Sequence, residues 1–137
     1  MRGGTANCTV VISDEEIGSP MVSNPQAAIT INLPSLDKYE PLIQPGGLLV
    51  INESMVDREA KRKDIHVVTI KANEIAEKLG DQRMANMVLL GALVSNLKVL
   101  PLEAIEKALA DHLPERHRRL LPMNYQALRE GAKEIAS

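Results

Sequence analysis

The chain has no tryptophan and no phenylalanine, and its only aromatic side chains are Tyr39 and Tyr125. A core built without those large rings must be aliphatic, and base-stacking platforms for single-stranded nucleic acid are excluded. One cysteine, Cys8, leaves no intrachain disulfide and no cysteine-ligated zinc or iron–sulfur site that this chain assembles alone. A dominant charge sign is missing too. The 16 Lys and Arg residues stand against 18 Asp and Glu, a formal net charge of -2, so no overall field draws DNA, RNA or an anionic membrane. No apolar run approaches the length of a membrane span, and the residues before Cys8 carry nothing like the hydrophobic segment of a signal peptide. The chain therefore reads as cytoplasmic, and the Asn-x-Ser/Thr matches at Asn7 and Asn52 read as chance.

What remains is an ordinary globular composition. Hydrophobic residues make up 45% and charged residues 25% of 137 positions, which excludes disorder and predicts one domain over residues 1–137. Residues 5–13 alternate, with Ala6, Cys8, Val10 and Ile12 on one side, and predict a half-buried strand in which Cys8 is an inert packed thiol. Residues 14–20 form an acidic, solvated turn. The apolar runs 27–31, 48–51 and 65–70 lack alternation and suit strands covered on both faces. Between them, residues 35–43 and 73–79 predict short helices, stopped at Pro45-Gly46-Gly47 and at Gly80. Helices follow at 83–97, 102–113 and about 124–136. Strands alternating with helices define α/β: a mostly parallel sheet covered by helices, a Rossmann-like three-layer domain with a helical C-terminal third.

In such sheets ligands gather at the carboxyl ends of the strands. There the sequence places Asn32-Leu33-Pro34-Ser35, Asn52-Glu53-Ser54 and Lys71-Ala72-Asn73, a rim of amides, hydroxyls and one ammonium suited to an amide-rich or phosphorylated ligand. Ser and Asn also cap helices at about 1 kcal/mol each. Capping is the favoured reading for Ser35 and Asn73, while Asn32 and Asn52 stand evenly between cap and ligand contact. The candidate ligand rim is thus Asn32, Asn52, Ser54 and Lys71. Arg2-Gly3-Gly4 lets backbone amides approach a phosphate or a partner backbone, although a flexible terminus fits the same residues. The basic runs Lys61-Arg62-Lys63 and Arg116-His117-Arg118-Arg119 read as solvated faces. His66, His112 and His117 lack the spacing of a metal pair, and no catalytic base or nucleophile constellation stands out.

Helix 83–97 is apolar nearly all round, which requires it to be surrounded. Either it is a central core helix, or Ala85, Gly91, Ala92 and Ser95 let another subunit approach it closely. Asn86 within it then needs a hydrogen-bonding partner, since an unpaired buried amide costs about 1–3 kcal/mol. The candidate partner contacts are Arg2, Gly3, Gly4, Asn86 and Gly91.

Four blocks in order, namely residues 1–13 with their Arg2-Gly3-Gly4-Thr5-Ala6-Asn7-Cys8 run, Asn32-Leu33-Pro34-Ser35-Leu36-Asp37-Lys38, Pro45-Gly46-Gly47-Leu48-Leu49, and residues 85–93, together resemble the gamma subunit of 2-oxoacid:ferredoxin oxidoreductases. The first block is most similar to the 2-oxoglutarate type. The resemblance implies a subunit without a redox centre in a complex that converts a 2-oxoacid, coenzyme A and oxidised ferredoxin into acyl-CoA, carbon dioxide and reduced ferredoxin. It further implies that thiamine diphosphate, iron–sulfur clusters and Mg belong to other subunits, and that this module serves coenzyme A access and subunit packing. The implied partners are alpha and beta subunits, a ferredoxin-like delta subunit as a further candidate, ferredoxin through the complex, and coenzyme A; isolation exposes surfaces for self-association. Family members begin with a strand and a glycine-rich turn ahead of the segment matching Met1, so an N-terminal βα unit is expected to be missing here. Two readings of other classes stay open: a purely structural interaction subunit, and a free-standing small-molecule-binding module.

Overall fold

The computed structural model describes residues 10–12, 15, 16, 18, 23–98 and 100–134. Three parallel strands, β1 (Ala27–Thr30), β2 (Leu48–Asn52) and β3 (His66–Ile70), lie side by side in the order β1-β2-β3. Ala27 is opposite Leu48 and Leu48 is opposite His66, so all three strands point the same way and end on one rim.

All five residues of β2 are buried, as a central strand covered on two faces requires. The pleat divides them. Leu48 and Val50 join Val68 and Ile70 under α2 (Ala72–Leu79), α3 (Ala85–Leu97) and α5 (Leu121–Ala132). Leu49 and Ile51 pack on the other side with Leu36 of α1 (Leu33–Tyr39) and with Val56 and Ile65 of the β2–β3 connection. Helices and one ordered connection therefore cover both faces, and α4 (Leu102–His112) with α5 completes a helical C-terminal part. No helix of the described residues is long and apolar enough to cross a membrane.

Several elements differ from the sequence reading. Val10, Val11 and Ile12 are not in a strand, and Val10 and Ile12 are exposed; the rest of the expected 5–13 strand, with Cys8, lies outside the described residues. Apolar alternation specifies a strand only where a neighbour can satisfy its backbone, and no described strand pairs with this segment. α1 starts at Leu33 because Asn32 caps it and Pro34 sits in its first turn, where its missing N–H is no loss. Pro41 then falls in a 3-10 turn, Glu40–Leu42. α5 begins three residues before its expected start, following a 3-10 segment at Glu115–Leu120.

α3 is a core helix held mainly by α5. A Cβ added at Gly91 would collide with the carbonyl oxygen of Leu128, and one at Gly131 with that of Val88, so the two glycines bring the helix backbones into direct contact. Ser95 Oγ donates to the Ala132 carbonyl at 3.0 Å and Asn96 Nδ2 to that of Glu134 at 2.9 Å, which closes the same seam. The small residues of α3 thus serve an approach within the chain, and the expectation that Gly91 meets another subunit is corrected. Asn86 is exposed at the first turn of α3, so water satisfies its amide and the expected obligatory partner is not required.

Candidate functional site

The rim at the carboxyl ends of the strands exists, and most of its polar atoms are bonded to one another. Asn32 follows β1, and its side-chain oxygen accepts the Ser35 backbone N–H at 3.1 Å. Asn32 is therefore the cap and Ser35 the capped residue, the reverse of the capping role expected of Ser35. The Asn32 amide nitrogen is left for other contacts on an exposed residue.

Asn52 ends β2 with its side chain fully buried. Its Nδ2 donates to Asn73 Oδ1 at 3.1 Å, and its Oδ1 accepts the Ser54 backbone N–H at 3.3 Å. Ser54 Oγ accepts the Asn73 backbone N–H at 3.1 Å and donates to Glu74 Oε2 at 2.6 Å. The cap of α2 is thus supplied from another strand end. Lys71, the residue in cap position, makes no side-chain cap bond, and Asn73 lies inside the first turn as an acceptor for Asn52. This corrects the expected capping role of Asn73. An amide buried at a strand end holds its geometry because releasing it would strand polar atoms away from water.

Lys71 is exposed beside this network and makes no ion pair among the described residues. Two carboxylates that the sequence reading did not weigh share the rim: Glu53, exposed after β2, and Glu74, bonded to Ser54. The rim therefore balances one ammonium against two carboxylates and favours neutral amide partners over a bare phosphate. Arg2, Gly3 and Gly4 lie outside the described residues.

A second polar network was invisible in the sequence. Glu40, 2% exposed, accepts the backbone N–H groups of Lys61 at 2.5 Å and Arg62 at 3.1 Å and pairs with Arg58 Nη1 at 3.1 Å. Arg58 also reaches Asp37 at 2.8 Å, and Arg62 forks onto Asp64 at 2.6 and 2.9 Å while its Nη1 meets the carbonyls of Glu40 and Ile43. Arg62 is half-buried, so the reading of Lys61-Arg62-Lys63 as a wholly solvated face is corrected. The hydrogen bond that Arg58 donates to Asp37 raises the Arg58 pKa, and the one that Arg62 donates to Asp64 lowers the Asp64 pKa. These contacts fix the β2–β3 connection, residues 53–65, against α1 and the turn that follows it. A lone glutamate before a proline gives no signal of this kind, since its partners lie 18–22 positions away.

Two grooves lie elsewhere. A groove of about 770 Å³ opens at the amino ends of the strands between Gln26, Gln44, Gly46, His66, Asn96 and Lys98. A smaller one, about 370 Å³, sits where α3 turns toward α4, between Val94, Lys98, Leu100 and Ala132. No rim residue lines either groove. Among the described residues no three His, Cys, Asp or Glu side chains gather in a way that could hold a metal ion.

The architecture is that of an open parallel α/β module whose rim is largely bonded to itself. Residues 1–134 match the family model "pyruvate ferredoxin/flavodoxin oxidoreductase", and the chain belongs to that family. It is 32% identical over 136 residues to the 2-oxoglutarate synthase subunit KorC of Methanocaldococcus jannaschii, covering 98% of this chain and 73% of that one. It is 36% identical over 94 residues to the ketoisovalerate oxidoreductase subunit VorA of Methanothermobacter marburgensis, covering 69% of this chain. The keto/oxoacid ferredoxin oxidoreductase gamma subunit of Geobacter sulfurreducens has the same fold, with a TM-score of 0.76 at 24% identity over 88% of this chain. The chain spans 20% of that VorA subunit and 65% of the Geobacter gamma subunit.

Proposed function

We propose that this chain is a gamma-type subunit of a 2-oxoacid:ferredoxin oxidoreductase complex, of the 2-oxoglutarate kind, and that it contributes coenzyme A access and subunit packing. The carrying observation is the family match over residues 1–134, joined to the near full-length identity with a 2-oxoglutarate synthase subunit. In this reading thiamine diphosphate, iron–sulfur clusters and Mg are held by partner subunits and supply decarboxylation and electron transfer there. The partners are alpha and beta subunits, with a delta subunit and ferredoxin reached through the complex.

The role of the chain's own residues follows from the rim. Asn32 Nδ2 and Lys71 Nζ, beyond the ends of the two strands that flank β2, make no hydrogen bond or ion pair among the described residues and are the donors this reading offers to pantetheine amides and to phosphate respectively. Asn52 and Ser54 hold those strand ends in register with α2; they position the rim and make no direct ligand contact.

The test is a coenzyme A titration of the assembled complex. Asn32→Ala should weaken binding about two- to thirteenfold, the equivalent of one neutral hydrogen bond. Lys71→Met should weaken it by an amount that shrinks as salt rises, because an exposed charge is screened. The purified chain alone, given 2-oxoglutarate, coenzyme A and a viologen acceptor, should not turn over. Turnover by the chain alone overturns the subunit assignment. Unchanged affinity in both variants overturns the coenzyme A role and leaves a packing subunit, a second reading favoured by how many rim atoms are already bonded internally.

A further inference from the structure

The described arginines fall into two groups. Arg58, Arg62, Arg83 and Arg129 are each ion-paired within the chain, to Asp37 and Glu40, Asp64, Asp81 and Glu106. Arg116, Arg118 and Arg119 form no ion pair among the described residues, and all three are exposed on the 3-10 segment Glu115–Leu120. The one hydrogen bond between their side chains and a described neighbour is from Arg116 Nε to His117 Nε2 at 3.1 Å, which holds two basic side chains together without neutralising either. Three guanidiniums thus share one short turn with a single carboxylate, Glu115, in a chain whose formal net charge is -2.

The segment runs directly into α5, with the Leu121 N–H donating to the Arg118 carbonyl at the junction, so the three side chains are carried on a backbone already bonded within the chain. Such a cluster is stabilised when carboxylates arrive from outside, because guanidinium forks match carboxylates in pairs. Neither of the two grooves described above is lined by these residues. Residues 115–119 include no apolar side chain to enter a lipid interface, and the chain's net negative charge opposes an extended polyanion.

We infer that Arg116, Arg118 and Arg119 form a docking surface for a protein that presents clustered carboxylates. The inference is independent of the coenzyme A reading of the rim. The experiment uses the full chain and a fluorescent decaglutamate peptide, followed by anisotropy at low and at physiological ionic strength. Binding is expected at low salt and should weaken as salt rises. Arg116→Gln/Arg118→Gln/Arg119→Gln should weaken it about tenfold, the combined effect of three exposed charge contacts. Lys61→Gln/Lys63→Gln, which removes the other exposed basic pair, should change it little. The single variants Arg118→Gln and Arg119→Gln, at positions with no internal bond, repeat the comparison without burdening the fold. Absence of peptide binding at low salt, or equal losses in the arginine and lysine variants, overturns the inference. Tighter arginine-dependent binding of a DNA duplex or of phosphatidylserine vesicles overturns it as well and reassigns the surface.

Discussion

Replacing Glu40 with alanine removes the most heavily bonded buried carboxylate in the described chain. Three donors lose their acceptor: the backbone N–H groups of Lys61 and Arg62, and Arg58 Nη1. Breaking a buried ion pair typically costs 3–5 kcal/mol, most of it from the charge left behind. Here Arg58 keeps Asp37 and the Glu59 carbonyl, and its side chain is 22% exposed, so it is not stranded. Arg62 likewise keeps Asp64 and the Glu40 backbone carbonyl, which the substitution leaves in place. The remaining loss is two part-buried backbone hydrogen bonds to a carboxylate and one charge-assisted contact, about 2–4 kcal/mol. For a chain of this length that is a fall in Tm of roughly 6–12 °C. Glu40→Gln should fall between wild type and Glu40→Ala: its oxygen can accept one N–H, but its amide nitrogen confronts the Arg58 donor. Urea unfolding with hydrogen exchange at Lys61 and Arg62 checks both magnitude and location. A loss below about 0.5 kcal/mol, within the range of ordinary surface substitutions, with unchanged exchange at those two amides, would refute the idea that this carboxylate holds the β2–β3 connection.

Gly131→Ala should lower stability by about 1–3 kcal/mol through overpacking against the Val88 carbonyl, although alanine is the better helix former by about 1 kcal/mol; a rise in Tm would show that α3 and α5 are not in backbone contact. Asn52→Ala should cost about 1–3 kcal/mol by stranding Ser54 N–H and Asn73 Oδ1, and in a double-mutant cycle with Ser54→Ala the losses should be non-additive by at least about 0.5 kcal/mol, since both act on Asn73. Hydrogen bonds from Arg62 and Arg83 hold the Asp64 and Asp81 carboxyls below the ordinary aspartate value of 3.8, so the native state binds fewer protons than the unfolded chain in acid. Their stabilisation is present above that value and is lost as pH falls through the depressed native ones; Asp64→Asn/Asp81→Asn should flatten the acid limb of a stability–pH curve, and an unchanged limb would contradict these pairings.

Local chemistry carried most of the secondary structure. Short β-branched runs, Gly80 after α2 and Pro101 before α4 mark element ends through backbone restrictions that act within a few residues, so the boundaries of β2, β3, α2 and α4 were legible within a residue or so. The β1–α1 boundary was harder, because either Asn32 or Ser35 could cap, and only the Asn32 carbonyl and side chain placed against the first turn decide between them. The 5–13 segment misled on Val10 and Ile12, since alternation states which side is apolar and says nothing about whether a strand is there to pair with.

The rim shows the same division. Its residue types follow from where apolar runs end, so the sequence by itself determined that amides, hydroxyls and Lys71 collect at the strand ends. Tertiary structure alone decided which of those atoms are spent. Asn73 lies 21 positions from Asn52 and 19 from Ser54 across the β2–β3 crossover, Glu40 lies 21 and 22 positions from its backbone donors, and Gly91 meets Leu128 across two helices. Propensity and periodicity report the backbone's local preferences, with a range of one or two turns. Hydrogen bonds and close packing between distant segments depend instead on which side chains the folded backbone brings within about 3 Å of one another, a quantity that no local window of sequence contains.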